Sequence, residues 1–388
     1  MFDAVLLVDR ESHARVAGMT ILERAAFTMA RAGAQRLLCV GDRPPTPPRL
    51  PALPVTWISA DPAAPRAQPG RASDTAIVME AAAVVDSDTL AALAEAPISG
   101  TLRVAGTVGL WRCSAASLPE TLRSAPEPGH ASWVPPRDFL LLRVDDRSSR
   151  VAAERALYAR LGRAGDGWIT RHVDRRISRG LTRLLLPAGV SPNQVTLASV
   201  AVGLTAALLF AAGTREGIVA GSLLFLLSTI VDGCDGEIAR LTFRESELGA
   251  YLDLVGDNVV HVALFGGIAI GIHRQAPDDR TVATLGVLMV TGVLVAMTTA
   301  YWSLVRRRPT RGQRALFDTF ASREFAYLLV ALALADKLTW FLWAAACGTF
   351  AFAAGLLLLG ALERPMTLRV MTAVSHIRTF FACYKEKR

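Results

Sequence analysis

The 388-residue chain has no CxxC pair and no other cysteine spacing that would hold a metal; Cys39, Cys113, Cys234, Cys347 and Cys383 are scattered singly. That excludes a disulfide framework and suits a reducing cytosol for any soluble part. The N-terminus lacks a basic segment followed by an apolar run, so no signal peptide is expected. Acidic residues are in the minority: the formal net charge is +8, carried mostly by arginine. The basic residues sit in loops beside apolar runs. That placement points away from nucleic acid and toward a positive-inside bias and anionic lipid. What the chain has in quantity is apolar residues, 52% of the total, with a mean hydropathy of +0.35. They crowd into the half after Ser191, in runs separated by short polar loops, the pattern of an integral membrane domain.

Three parts are expected: residues 1–145, 146–190 and 191–388. The first reads as α/β and soluble. FDAVLLV is a strand, MTILERAAFTMARAG an amphipathic helix and AQRLLCVGD a second strand, a βαβ opening. TAIVMEAAAVV reads as one further strand, DSDTLAALAEA as a helix capped by Asp or Ser, SAPEPGHASWVPP as a loop and DFLLLRV as a last strand. The second part, from Val151 to Ala188, alternates Arg and His with Leu, Ile and Trp at helical spacing, as a helix lying on a membrane surface does.

In the third part the apolar runs predict six spans, at about Val195–Ala212, Ile218–Ala239, Leu248–Ile272, Val282–Val305, Ala315–Ala335 and Leu338–Leu362. An even number puts both termini on one side. The loop VRRRPTRGQR and the tail CYKEKR are strongly basic, so that side is expected to be cytoplasmic, at the inner (plasma) membrane. The fifth run is short. To cross, it must extend back through Arg323 and Glu324, which would then face a polar cavity and are candidates for acceptor binding.

The stretch VDGCDGEIARLTFRESELGAYLDLVGDNVVH holds Asp232, Asp235, Asp253 and Asp257 between two apolar runs. Spacings of three and four put each pair on one helix face. The connection RLTFRESE is short, so the two helices are antiparallel neighbours and the pairs face each other. Carboxylates gathered in a dry site need compensation. Oxygen-only ligands suit a hard cation, Mg²⁺ or Mn²⁺, and four of them suit two ions, a clamp for phosphoryl displacement. Gly236 and Gly249, and less completely Ala239, leave room for a ligand; Arg240 can neutralise a phosphate.

Two resemblances follow from these residues. The strand and GMTILERAAFTMARAGAQRLLCVGD of the first part resemble the nucleotidyltransferase fold of the sugar-phosphate cytidylyltransferase type. Active members carry a Gly-rich loop with a basic residue after the first strand. Here that loop reads DRESHARVAGM, with no GxG and no Lys, and alanines in IVMEAAAVVD stand where a metal-binding Asp should fall. A structural or regulatory front domain is therefore expected.

The aspartate stretch resembles the signature of the CDP-alcohol phosphotransferase family, D-x2-D-G-x2-A-R-x8-G-x3-D-x3-D, with every fixed position filled. The family resemblance implies a six-helix membrane domain, a homodimer, and transfer of a phospho-alcohol from a CDP-alcohol to an acceptor hydroxyl with release of CMP. By position, Asp232, Asp235 and Asp253 would ligand two Mg²⁺ or Mn²⁺ ions. Asp257 would complete the second metal site or act as general base. Gly236, Ala239, Arg240, Gly249 and Asn193 would bind CDP. The donor is expected to be CDP-diacylglycerol or a CDP-polyol such as CDP-inositol, and the acceptor a polyol phosphate or a lipid in the bilayer. The alternatives are a bifunctional enzyme whose front domain makes the CDP-alcohol, and a non-catalytic membrane scaffold or transporter.

Overall fold

In a computed structural model, residues 1–44, 46–59, 73–96, 101–104, 109–118, 131–134, 139–162, 167–306, 309–320 and 324–385 are described. The chain forms two compact units. One comprises Met1–Leu161, Leu186–Gly189 and Arg240–Arg244. The other comprises Gly162–Leu185, Val190–Ala239 and Glu245–Arg388.

The first unit is α/β, as its alternating pattern predicts. Strand β1 (Phe2–Leu7) sends Phe2, Ala4 and Leu6 into one apolar cluster and Val5 into another, the period-two alternation of a strand buried on both faces. After the two-residue strands β2 (Arg15–Val16) and β3 (Met19–Thr20) comes helix α1 (Ile21–Arg31). Thr20 and Glu23 close a capping box at its start. Parallel pairing of β1 with β4 (Ala34–Val40) completes the βαβ opening. Then come β5 (Val55–Ile58), β6 (Thr75–Glu80), β7 (Ala83–Val85), helix α2 (Ser87–Glu95), β8 (Leu102–Val104), β9 (Leu110–Ser114), β10 (Ala131–Trp133) and β11 (Leu141–Arg143). Among the described residues, seven strands make one mixed sheet in the order β10-β8-β9-β6-β1-β4-β5.

Two strand expectations change. TAIVMEAAAVV is two strands: the chain turns at Ala81 and Ala82, and β7 leaves the main sheet to pair antiparallel with β11. Within SAPEPGHASWVPP, Ala131–Trp133 is a strand parallel to β8.

This unit also holds the segment 240–244. Arg24, 3% exposed, donates to the carbonyls of Val16, Ala17 and Leu241 at 3.1, 3.3 and 2.9 Å. Burial pulls its guanidinium down to about 10. Arg49 donates to the carbonyls of Thr242 and Phe243 at 2.6 and 2.8 Å. Phe243 takes a left-handed φ of 51°, costly for a bulky residue, and stacks on Phe27 at 5.5 Å.

Helix α3 (Arg147–Ala159) belongs to the first unit. In the second, a π-turn (Thr170–Asp174) leads into α4 (Arg175–Leu185). The expected connector is thus two helices rather than one. Next come α5 (Pro192–Ala212), α6 (Arg215–Thr242, its last residues counted in the first unit), α7 (Glu247–Gln275), α8 (Arg280–Ala300), α9 (Arg311–Phe320), α10 (Phe325–Leu334) and α11 (Leu338–Lys385). Ser191 and Gln194 form the capping box of α5, with Pro192 in its first turn.

Among the described residues, five helices are long and apolar enough to cross a membrane: Pro192–Ala212, Arg215–Thr242, Glu247–Gln275, Arg280–Leu304 and Leu338–Glu363. The fifth expected span, Ala315–Ala335, falls on two short helices instead, α9 and α10, so the six-span count holds only in part. α10 is ten residues, about 15 Å of helix, half of the roughly 30 Å of hydrocarbon. The core of this unit gathers Phe210, Phe225, Leu264, Met289, Leu329 and Leu342 from six helices.

Candidate active site

The second and third long helices carry the aspartates. Asp232 and Asp235 lie one turn apart near the end of α6. The chain reverses through 243–246, and Ser246 caps α7 by accepting from the Gly249 N–H at 3.0 Å. Asp253 and Asp257 then follow one turn apart. The reversal brings one carboxylate oxygen each of Asp232, Asp235 and Asp253 within 4.8 Å of one another. Asp232 is 7% exposed. Anions this close repel by about 3 kcal/mol per pair at an effective dielectric near 20. A divalent cation relieves that repulsion, and an all-oxygen donor set suits Mg²⁺ or Mn²⁺. The residues present therefore fit a metal.

Asp257 is not one of these three carboxylates but lies beside them. It lines, with Asp232, Ser228, Thr229, His261 and Phe325, a cavity of about 100 Å³. His261 directs Nδ1 at the Asp257 carbonyl oxygen, 2.6 Å away, and packs against the Phe325 ring at 5.8 Å.

One hydroxyl and one backbone N–H orient Asp235. Thr196 on α5 donates to Asp235 Oδ2 at 2.5 Å, and the Gly236 N–H donates to Asp235 Oδ1. A Cβ on Gly249 would come 3.2 Å from Asn193 Oδ1, so this glycine admits the Asn193 side chain. Gly236 and Ala239 follow Asp235 on α6, while Arg240 falls in the first unit. Arg323 lies outside the described residues. Glu324 accepts from the Ile169 backbone N–H at 3.1 Å.

The sequence reading passed over Glu237, which is wholly buried in the middle of the signature. Its carboxylate accepts from Arg175 Nη1 at 3.1 Å, Ser178 Oγ at 2.7 Å and Thr182 Oγ1 at 2.9 Å. The signal was there: positions 175, 178 and 182 form one polar stripe at helical spacing on an otherwise basic and apolar helix.

Known proteins place this region. Residues 189–351 match the family model for CDP-alcohol phosphatidyltransferase. A bifunctional IPC transferase and DIPP synthase of Archaeoglobus fulgidus is 30% identical over 209 residues, 53% of this chain and 40% of that protein. A phosphatidylinositol phosphate synthase of Streptomyces avermitilis is 30% identical over 147 residues, 38% of this chain and 59% of that one. The chain thus spans less than two thirds of either relative. The crystal structure of a Mycobacterium tuberculosis phosphatidylinositol phosphate synthase with CDP-DAG bound is 21% identical and covers 48% of this chain and 92% of that one. Its TM-score is 0.35, too slight a likeness to build on.

Proposed function

We propose that the protein, whose residues 189–351 match the family model for CDP-alcohol phosphatidyltransferase, transfers a phospho-alcohol group from a CDP-alcohol to an acceptor hydroxyl. The observation that carries the proposal is the convergence of Asp232, Asp235 and Asp253 inside a complete signature.

Those three carboxylates, with Asp257 beside them, would hold two Mg²⁺ or Mn²⁺ ions. Bound there, the ions would offset the negative charge that builds on the departing CMP phosphate. Asp257, exposed to the cavity, takes the proton of the acceptor hydroxyl. The hydroxyl oxygen bonds to the phosphorus of the phospho-alcohol, the bond from that phosphorus to the CMP oxygen breaks, and CMP leaves with the electron pair. Thr196 keeps Asp235 oriented. Gly236, Ala239, Arg240, Gly249 and Asn193 bind the CDP half, which every donor shares. Arg323 and Glu324 serve the acceptor side, where the Glu324 carboxylate also accepts from the Ile169 backbone N–H.

The donor is CDP-diacylglycerol or a CDP-polyol such as CDP-inositol, and the acceptor a polyol phosphate or a lipid hydroxyl. The protein works as a homodimer in the inner membrane with both termini in the cytoplasm. The front unit is taken as structural or regulatory, because the loop after its first strand has no GxG and no Lys and alanines stand where the resemblance would put a metal-binding aspartate. The bifunctional alternative requires it to join CTP and a polyol phosphate with release of diphosphate.

The purified full chain in detergent with Mg²⁺, given CDP-diacylglycerol or CDP-inositol and a panel of acceptors, should release CMP only with an acceptor. Asp257→Asn should slow release by at least about 100-fold, the contribution of a lost general base. Equal release from both proteins would remove Asp257 from the mechanism. Diphosphate release from CTP and inositol phosphate would establish the bifunctional alternative.

A further inference from the structure

Glu237 is buried at 0% exposure, as are its partners Arg175 at 6%, Ser178 at 2% and Thr182 at 0%. A carboxylate in such surroundings needs every lone pair engaged, and here three donors on one face of α4 converge on it. Cys234, one turn before, places Sγ 3.5 Å from the Ser178 carbonyl oxygen. Apolar residues would hold two helices together as well. What a polar triad adds is direction, because hydrogen bonds fail when a helix turns about its axis and apolar contacts slide. At about 100° per residue, Glu237 points some 200° from Asp235 and 140° from Asp232. It grips the back of the helix whose front carries the metal carboxylates.

We propose that Glu237, held by Arg175, Ser178 and Thr182, is a positioning residue that fixes the rotation of α6 and so aims Asp232 and Asp235 at Asp253. The inference rests on the metal reading given under Proposed function.

The full chain in detergent provides the test, with Mn²⁺ affinity, thermal midpoint and CMP-release kinetics measured together. The variants are Glu237→Gln and the double substitution Glu237→Leu with Arg175→Met. The double substitution removes both charges of this cluster, and Ser178 and Thr182 can bond carbonyls of their own helix. Glu237→Gln leaves the Arg175 charge buried without its counter-charge and should lower the thermal midpoint, which should return to that of the wild type in the double substitution. Its Mn²⁺ dissociation constant should stay about 10- to 100-fold weaker, with kcat lowered and the donor KM nearly unchanged, as expected when support for a ligand is lost. Recovery of both midpoint and Mn²⁺ affinity would overturn the inference and leave the triad a simple anchor. A wild type that binds no Mn²⁺ would overturn the metal reading, and the inference with it. A wild type that binds Mn²⁺ but releases no CMP would overturn the transfer reading alone, and the Mn²⁺ comparison would still decide the positioning role.

Discussion

Thr196 shows how much one hydroxyl can decide. Its Oγ1 sits 2.5 Å from Asp235 Oδ2 while its own backbone belongs to a different helix. Thr196→Val keeps the shape and removes the donor. The expected result is Mn²⁺ binding weakened by roughly 10-fold, read by titration, with little change in thermal midpoint. Cys39 makes the opposite case. It is fully buried in β4, and burial pushes its thiol up to about 12. It should resist alkylation at pH 8 in the folded protein and react once urea unfolds the first unit. At this scale the sequence was most readable where chemistry dictates spacing. Asp232, Asp235, Asp253 and Asp257 had to sit at three and four to share a face. Thr196 and Glu237 gave less away, because each meets its partner 39 or more residues off in the chain.

Between elements, the close approach of α5 and α7 is set by glycine. A Cβ on Gly267 would come 2.3 Å from the Ala207 carbonyl oxygen, and one on Gly271 2.0 Å from that of Phe210. Backbone cannot yield as a side chain does. Gly271→Leu should lower stability by at least about 1–3 kcal/mol, the usual cost of overpacking, seen as a lower thermal midpoint in detergent. The same substitution at Gly266, where nothing lies within 4 Å, should be tolerated and serves as the control. Helix periodicity announced the long spans but not this contact, since an apolar run reads alike whichever side faces a neighbour. The run at Ala315–Ala335 misled for a related reason. Its apolar stretch gives the length of α10 alone, and α9 is amphipathic, with Gln313 buried and donating to the Leu356 carbonyl at 2.8 Å. β7 was hidden in the same way. Ala81 and Ala82 suit a strand or a bend equally, and only pairing with β11 settles which.

Across the whole molecule, the βαβ opening and the membrane helices followed from composition and periodicity, whereas the membership of 240–244 in the first unit did not. No local pattern says that Arg24 in one helix will collect the carbonyls of residues 16, 17 and 241. Arg24→Met leaves those three buried acceptors without their donor and should destabilise the first unit by at least about 3 kcal/mol, at about 1–3 kcal/mol for each buried group left unsatisfied. The tryptophan fluorescence of Trp57 and Trp111 during urea unfolding would report it. The segment also carries a consequence for the order of synthesis. Arg24 and Phe27 emerge from the ribosome early, but Leu241 and Phe243 follow Leu161 by about 80 residues, which at 5–20 residues per second is roughly 4–16 s of translation. During that interval the first unit has its sheet but not its last piece, and it reaches its final form only after α5 and most of α6 have been made.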